Sequence, residues 1–260
     1  MKSIQFLTYT EEDRIAFITF NRPDKHNAIN DSLIAELKDV ISQVEKSPHV
    51  KLVVLKAKAK DFCLGADIDY LKKLQKFNLE ENLLDSSALA QIYLKIYRSS
   101  KIFVAQIEGD AISEGCGLAS VCDFAFAVAE ARFGYAEVQM GLVPAIAMIF
   151  LLRKIGETRT KEMMLSGNLI DARKAARYNL ITEVIPTDEI EDYVLDFAKK
   201  IVERNSAMAM YLTKKMMADI QEFPIENAVK FAAKMNAHAR VTEDSKKGIA
   251  AFLNEQQVKW

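Results

Sequence analysis

Short apolar runs, separated by charged or glycine-containing segments, dominate the first half of the chain. Runs of this length that are rich in Val, Ile and Phe are typical of strands buried in a sheet. We predict strands at residues 4–10, 14–20, 52–55, 102–107 and 124–129. The acidic residues 11–13 are expected to form the turn between the first two strands.

Helical spacing of apolar residues appears after the second strand and dominates the last third of the chain. An apolar stripe up to Val44 predicts a helix with Asp31 as its N-cap and Pro48 beyond its end. Residues 72–81 are charged and loosely patterned, so we expect a surface segment there. We predict further helices at 83–98, 146–155, 157–166, 171–178, 190–204, 207–220, 225–239 and 243–255. The pattern indicates an α/β protein with a core at residues 1–186 and a helical region at 187–260.

Two of the predicted strands run into glycine-containing turns that precede helical segments. The first turn contains Gly65, and the second contains Gly115 and Gly117. A helix that starts at such a turn leaves backbone N–H groups free, and these groups can stabilise negative charge. Glu137 follows the next strand in an apolar, glycine-containing setting. Amide donors together with one carboxylate suit proton transfer beside a carbonyl group.

Composition and charge reduce the range of functions that the sequence allows. The 260 residues carry a formal net charge of −1, with 35 basic and 36 acidic residues, which disfavours nucleic acid and anionic membranes as partners. No apolar run reaches the length of a membrane span, and residues 1–14 lack the apolar core of a signal peptide. Cys63, Cys116 and Cys122 favour reduced thiols and a cytoplasmic location over a disulfide framework. The three histidines are scattered, so we expect no metal site.

Several segments together resemble the crotonase superfamily, the enoyl-CoA hydratases and isomerases. They are residues 21–30, 62–68, 109–123, 133–144, 153–157 and, more weakly, 248–253. The resemblance implies a spiral of ββα units with a C-terminal helical region that mediates oligomerisation. It also implies a homotrimer or a dimer of trimers, and an acyl-CoA thioester as substrate. Coenzyme A is then part of the substrate, and no further cofactor is expected.

The same resemblance assigns roles to residues. The backbone N–H groups of Ala66 and Glu114 match the family's oxyanion hole, and Glu137 matches its catalytic glutamate. The positions that match the family's substrate and CoA site are Lys25, Ala28, Gly65, Asp67, Ile68, Gly115 and Gly117. For Lys25 and Asp67 the alternatives are a solvated loop charge and a helix cap.

The chain also departs from the family pattern. Hydratases of the family resemble one another in a second glutamate, and here that position is Gly117. Ser113 and Glu114 stand where the family has glycines, and Glu255 stands where it often has a lysine that contacts a CoA phosphate. A small residue at position 117 is similar to the methylglutaconyl-CoA hydratases, in which a branched acyl group could fill the space.

These observations favour an enoyl-CoA hydratase that uses a single glutamate and acts on a 2-enoyl-CoA, possibly a branched one. One alternative is a Δ3,Δ2-enoyl-CoA isomerase, because one carboxylate can move a proton between two carbons without positioning water. An alternative of another class is a non-catalytic protein that binds acyl-CoA or RNA. The side chain of Glu114 has two interpretations: a charge tolerated near a helix start, or a replacement for the carboxylate missing at position 117.

Overall fold

The computed structural model describes residues 4–258 and 260 and contains two sheets. The larger sheet has six strands in the order β1-β2-β3-β4-β6-β9, and the smaller has three in the order β5-β7-β8. The strands are β1 Leu7–Glu12, β2 Ile15–Phe20, β3 Leu52–Ala57, β4 Ile102–Ile107, β5 Ala111–Ile112, β6 Phe124–Ala127, β7 Arg132–Gly134, β8 Ile170–Asp171 and β9 Glu183–Val184. In the larger sheet β1 and β2 are antiparallel and every other neighbouring pair is parallel.

Helices cover the larger sheet, and this explains why its central strands are mostly apolar. The helices are α1 Asp31–Lys46, α2 Ile68–Leu74, α3 Leu79–Tyr97, α4 Glu114–Val121, α5 Ala145–Ile155, α6 Glu157–Ser166, α7 Ala172–Arg177, α8 Ile190–Arg204, α9 Ala207–Asp219, α10 Ile225–Arg240 and α11 Glu243–Leu253. Every residue of β4 is buried, as expected for a parallel strand covered on both faces. The α/β class predicted from the sequence is confirmed.

The crossing from the larger to the smaller sheet positions the site. The chain leaves β4, forms β5 in the smaller sheet, turns at Ser113 and enters α4 before returning to the larger sheet as β6. Seven of the eight residues of α4, from Gly115 to Val121, are buried. The start of α4 is therefore fixed between the two sheets.

Several local predictions need correction. Glu11 and Glu12 belong to β1, and the turn lies at Asp13 and Arg14, whose φ angles of 48° and 68° produce a tight reversal. The N-cap of α1 is Asn30, whose side chain accepts a hydrogen bond from the Leu33 N–H, and Asp31 is the first helical residue.

The predicted surface segment at 72–81 is also partly wrong. Residues 68–74 form α2, and α3 begins at Leu79 behind a capping box made by Asn78 and Glu81. The adjacent Lys72 and Lys73 obscure the apolar positions of α2 in the sequence.

The two ends of the helical region differ in burial. Helix α8 packs against β2, β3, β4 and β6 and buries Ile190, Val194, Ala198 and Val202. Helices α10 and α11 bury none of their described residues. The division at residue 186 stays a prediction. Among the described residues, no helix has the length and apolar character needed to cross a membrane.

Candidate active site

The two glycine-containing turns predicted from the sequence lie against each other. The backbone N–H groups of Phe62 and Cys63 donate to the Asp110 carbonyl at 3.0 and 3.1 Å, and the Ile112 N–H donates to the Cys63 carbonyl at 2.9 Å. Gly115 makes this approach possible, because a Cβ at that position would lie 2.2 Å from the Cys63 carbonyl oxygen. The residues after Cys63 and those after Ile112 therefore share one site.

Each turn presents one backbone N–H group for which no backbone carbonyl partner is found among the described residues. The Ile29 N–H donates to the Gly65 carbonyl at 2.7 Å and the Asp67 N–H donates to the Ile29 carbonyl at 2.9 Å, which leaves Ala66 between two bonded neighbours. Glu114 is the first residue of α4. The first N–H groups of a helix have no hydrogen-bond acceptor within the helix. Within residues 4–258 and 260, neither N–H donates to a backbone carbonyl outside the regular elements.

The Glu137 carboxyl group lies beside these turns, at the start of a single 3-10 turn, Glu137–Met140. Its Oε2 atom is buried and has no hydrogen-bond partner among the described residues. Burial raises the pKa of this carboxyl group above its ordinary value, while its own backbone N–H and the Ser113 hydroxyl partly lower it. A half-buried acid with a raised pKa is suited to accept and return protons near neutral pH.

Three buried side-chain oxygens of the described chain lack a good partner, and they belong to Glu114, Tyr135 and Glu137. The neighbour of the Tyr135 hydroxyl is the thiol of Cys116, a weak hydrogen-bonding group. A buried polar atom without a partner costs on the order of 1–3 kcal/mol, so proteins keep few of them. The concentration of all three at one place indicates a site prepared for a ligand.

Tyr93 explains why position 117 is a glycine. Tyr93 was not identified from the sequence as a residue of the site. A Cβ on Gly117 would lie 2.1 Å from the Tyr93 hydroxyl oxygen. That hydroxyl donates to the Glu114 carbonyl at 2.9 Å, and the tyrosine is buried. The space that the sequence suggested for a branched acyl group is therefore filled by a protein side chain. The sequence signal was weak, because Tyr93 looks like any apolar position of α3.

The Glu114 side chain lies inward, contrary to the simpler sequence interpretation of a charge near a helix start. Its Oε2 atom is buried and would be 3.1 Å from a Cβ on Gly65. Burial raises the pKa of the Glu114 carboxyl to about 7, with its own backbone N–H opposing the rise and Glu137 and Asp85 adding to it. The site therefore contains two neighbouring carboxyl groups.

The remaining predicted substrate-binding residues surround the first turn. Asp67 caps α2 and pairs with Arg22 at 2.6 Å, which matches the alternative of a helix cap. The Lys25 Nζ lies 3.1 Å from a carboxyl oxygen of Asp69 at the surface. Ala28 is buried and Ile68 is exposed. Roles in CoA binding for these residues stay predictions. Among the described residues, no group of three or more His, Cys, Asp or Glu side chains could hold a metal ion.

A cavity of about 740 Å³ lies elsewhere, between α9 and the core, and neither Glu114 nor Glu137 lines it. Two of its lysines, the buried Lys214 and the half-buried Lys154, already have partners. The Lys214 Nζ pairs with Asp123 at 2.6 Å, and the Lys154 Nζ donates to the carbonyls of Ala119 and Cys122 at 3.3 and 2.9 Å. Both lysines are therefore paired, in contrast to the unpartnered carboxyl oxygens at the turns.

Comparison with known proteins identifies the family. The family model described as enoyl-CoA hydratase/isomerase matches residues 10–260. A 2,3-dehydroadipyl-CoA hydratase of Escherichia coli (strain K12) is 29% identical over 251 residues, which is 96% of this chain and 96% of the relative. A crotonyl-CoA hydratase of Syntrophomonas wolfei is 29% identical over 250 residues, 95% of this chain and 94% of the relative. The crystal structure of an enoyl-CoA hydratase from Shewanella pealeana superposes with a TM-score of 0.94 at 26% identity, covering 98% of this chain and 96% of that one.

Proposed function

This chain belongs to the enoyl-CoA hydratase/isomerase family, and from that membership we propose that it adds water to the double bond of a 2-enoyl-CoA thioester. The observation that carries the proposal is that the backbone N–H groups of Ala66 and Glu114, which donate to no backbone carbonyl outside the regular elements of the described chain, lie near the buried and unpaired Oε2 of Glu137. Hydration needs both parts. One part stabilises the charge that develops on the thioester oxygen, and the other moves the proton.

The two N–H groups act on the thioester oxygen. Attack of water on the β-carbon moves the electrons of the double bond towards the carbonyl group and produces an enolate. Ala66 and Glu114 donate to that oxygen from fixed positions, so no reorganisation is needed when the charge appears. Each donor of this kind is worth about 2.7–4 kcal/mol in the transition state.

Glu137 completes the addition. Its protonated carboxyl group gives a proton to the α-carbon, whose electron pair comes from the enolate. The water oxygen bonds to the β-carbon, and the proton that the water loses returns to Glu137. Glu137 is protonated again at the end of the reaction, and the substrate has gained one molecule of water. The raised pKa of Glu137 keeps the protonated form accessible near neutral pH.

An isomerase is the second candidate, and the contact between Gly117 and Tyr93 supports it. Because the tyrosine hydroxyl fills the place of a side chain at position 117, the second glutamate of the family's hydratases has no room there. A single glutamate can still take a proton from one carbon and return it to another. A methylglutaconyl-like acyl group is a narrower possibility, and the space at position 117 no longer supports it.

The test replaces Glu137 by Gln, which keeps the shape and removes the proton acceptor. We expect turnover of crotonyl-CoA to fall at least roughly 100-fold. The exposed Glu203 on α8 provides a matched control, since Glu203→Gln changes the same group far from the site. Assays with crotonyl-CoA, a 3-enoyl-CoA and methylglutaconyl-CoA separate hydratase from isomerase. Near wild-type turnover of the best substrate by Glu137→Gln would show that the assignment is wrong.

We also propose that the protein assembles as a homotrimer or a dimer of trimers, in a reducing compartment such as the cytoplasm. Helices α10 and α11 support this oligomeric assembly, because they bury none of their described residues and expose the apolar residues Ile225, Val229, Phe252 and Leu253. The three free, buried cysteines support the location in a reducing compartment. Sedimentation of the purified chain tests the assembly, and a monomer at micromolar concentration would contradict it.

A further inference from the structure

The carboxyl group of Glu114 lies at the proposed oxyanion hole. It interacts with the backbone N–H of its own residue, which is one of the two proposed donors. Its Oε2 atom would be 3.1 Å from a Cβ on Gly65, the residue directly before the second donor, Ala66. The same atom is buried and has no hydrogen-bond partner among the described residues. The side chain therefore lies beside the two proposed donors.

The groups that face this carboxyl group favour its neutral form. Glu137 lies on the 3-10 turn, Asp85 and Tyr93 lie on α3, and Cys63 lies on the first turn. All four are acidic or neutral. The side-chain charges named as acting on the Glu114 carboxyl are those of Glu137 and Asp85, and neither is a cation. Burial without a cation favours the protonated acid.

We propose that the protonated side chain of Glu114 is a third hydrogen-bond donor to the thioester oxygen, beside the backbone N–H groups of Ala66 and Glu114. This inference rests on the proposed function. A bound thioester oxygen accepts the Glu114 N–H in place of the side chain, and the acid O–H donates to the same oxygen. A neutral carboxylic acid in an apolar setting can donate in this way, whereas a carboxylate would repel the enolate.

This role differs from the replacement of the carboxylate missing at position 117. A carboxylate that holds the attacking water must be ionised and is needed only when water adds. A third donor must be neutral and is needed whenever an enolate forms. Exchange of the α-hydrogen of a saturated acyl-CoA separates the two roles, because it forms the enolate without adding water. Glu137 removes the proton, and a deuteron from the solvent returns to the same carbon.

The experiment follows α-hydrogen exchange of butyryl-CoA in D₂O as a function of pH. For the wild type we expect exchange to fall as pH rises through about 7, where Glu114 loses its proton. Glu114→Ala keeps the backbone N–H and removes the acid, so exchange should fall about 100- to 1000-fold. Glu114→Gln keeps a weaker neutral donor, so exchange should fall only about tenfold and lose its alkaline decline. The control Glu203→Gln should follow the wild type in both respects.

The alternative outcomes overturn the proposal in distinguishable ways. Wild-type exchange rates in Glu114→Ala, with hydration lost, would assign the side chain to the water instead. Equal losses in Glu114→Ala and Glu114→Gln would assign it a packing role. If Glu137→Gln leaves both exchange and hydration unchanged, the proposed function itself fails, and the third donor fails with it.

Discussion

Both turns that form the site present a backbone N–H group, but their backbone conformations differ. Gly65 has a φ of +92°, a conformation that glycine adopts without strain, and it leaves the Ala66 N–H free. Ser113 has a φ of +52° and precedes Glu114, so the second turn places a non-glycine residue in the left-handed region. Such a residue costs on the order of 1–3 kcal/mol. The second turn therefore keeps strain and places the Ser113 hydroxyl where it lowers the pKa of Glu137.

The glycines of the two turns also serve different needs. Gly65 is required for its backbone conformation. Gly115 and Gly117 lie inside α4 with ordinary helical conformations, and they are required for space beside Cys63 and Tyr93. Substitutions at these positions therefore test strain and packing separately.

The largest effect on stability is expected from Gly115→Ala, because the added Cβ should force the two turns apart. The added Cβ would lie 2.2 Å from the Cys63 carbonyl oxygen, a backbone atom that also accepts the Ile112 N–H. Because neither partner can move without breaking that hydrogen bond, we expect a loss of about 3 kcal/mol or more in the free energy of unfolding. Urea denaturation measures it.

The matched control for that substitution is Gly156→Ala, at a φ of +78° with no atom within 4 Å of the added Cβ. There the cost comes from backbone strain alone, about 1–2 kcal/mol. Equal losses at the two positions would mean that the turns are not packed as tightly as the structure indicates.

A smaller effect on stability, but a clear effect on activity, is expected from Gly65→Ala. The strained φ and the approach of the added Cβ to within 2.9 Å of the Ser113 Cβ should cost about 1–2 kcal/mol. Since the shift displaces the Ala66 N–H, kcat should fall about 100-fold. Gly156→Ala carries comparable strain away from the turns and should keep its turnover. Full activity in Gly65→Ala would remove the Ala66 N–H from the proposed oxyanion hole.

The same contrast explains how far the sequence could be interpreted. Buried strands such as β4 and the turn at Gly65 follow from local patterns, namely an apolar run and a glycine. The inward direction of the Glu114 side chain does not. It depends on how α3 and the first turn pack around the start of α4, which are contacts between residues far apart in sequence. Local reasoning therefore left two interpretations of the Glu114 side chain open, and the role of its amide stays a prediction.

Tyr93 is the other case in which distant packing decided the outcome. Within α3 it occupies an ordinary apolar position, and only the folded chain brings its hydroxyl to Gly117 and the Glu114 carbonyl. The glycine at 117 looked like a gap, although a side chain from another element fills it. The errors at Asp31 and at residues 11–13 are smaller, because neighbouring polar residues compete for one cap or one turn.

The smallest effect on stability is expected from Ser113→Gly, which makes the second turn resemble the first. Relief of strain at a φ of +52° is offset by loss of the interaction between the Ser113 hydroxyl and the Glu137 carboxylate and by the greater freedom of glycine in the unfolded chain, so the net change in the free energy of unfolding should stay within about 1 kcal/mol. The pKa of Glu137 should respond more clearly. The Ser113 hydroxyl lowers that pKa by stabilising the carboxylate, and its removal therefore raises the pKa further.

The measurement is the acidic decline of butyryl-CoA α-hydrogen exchange, which requires the carboxylate form of Glu137 as base. A higher pKa moves that decline to higher pH in Ser113→Gly. Ser113→Ala is the matched control, because it loses the same hydroxyl but keeps a side chain at a φ of +52°. It should show the same displacement with lower stability than Ser113→Gly, by about 1 kcal/mol or more. If the decline stays at the wild-type pH in both variants, Ser113 does not stabilise the Glu137 carboxylate, and the strain of the second turn needs another explanation.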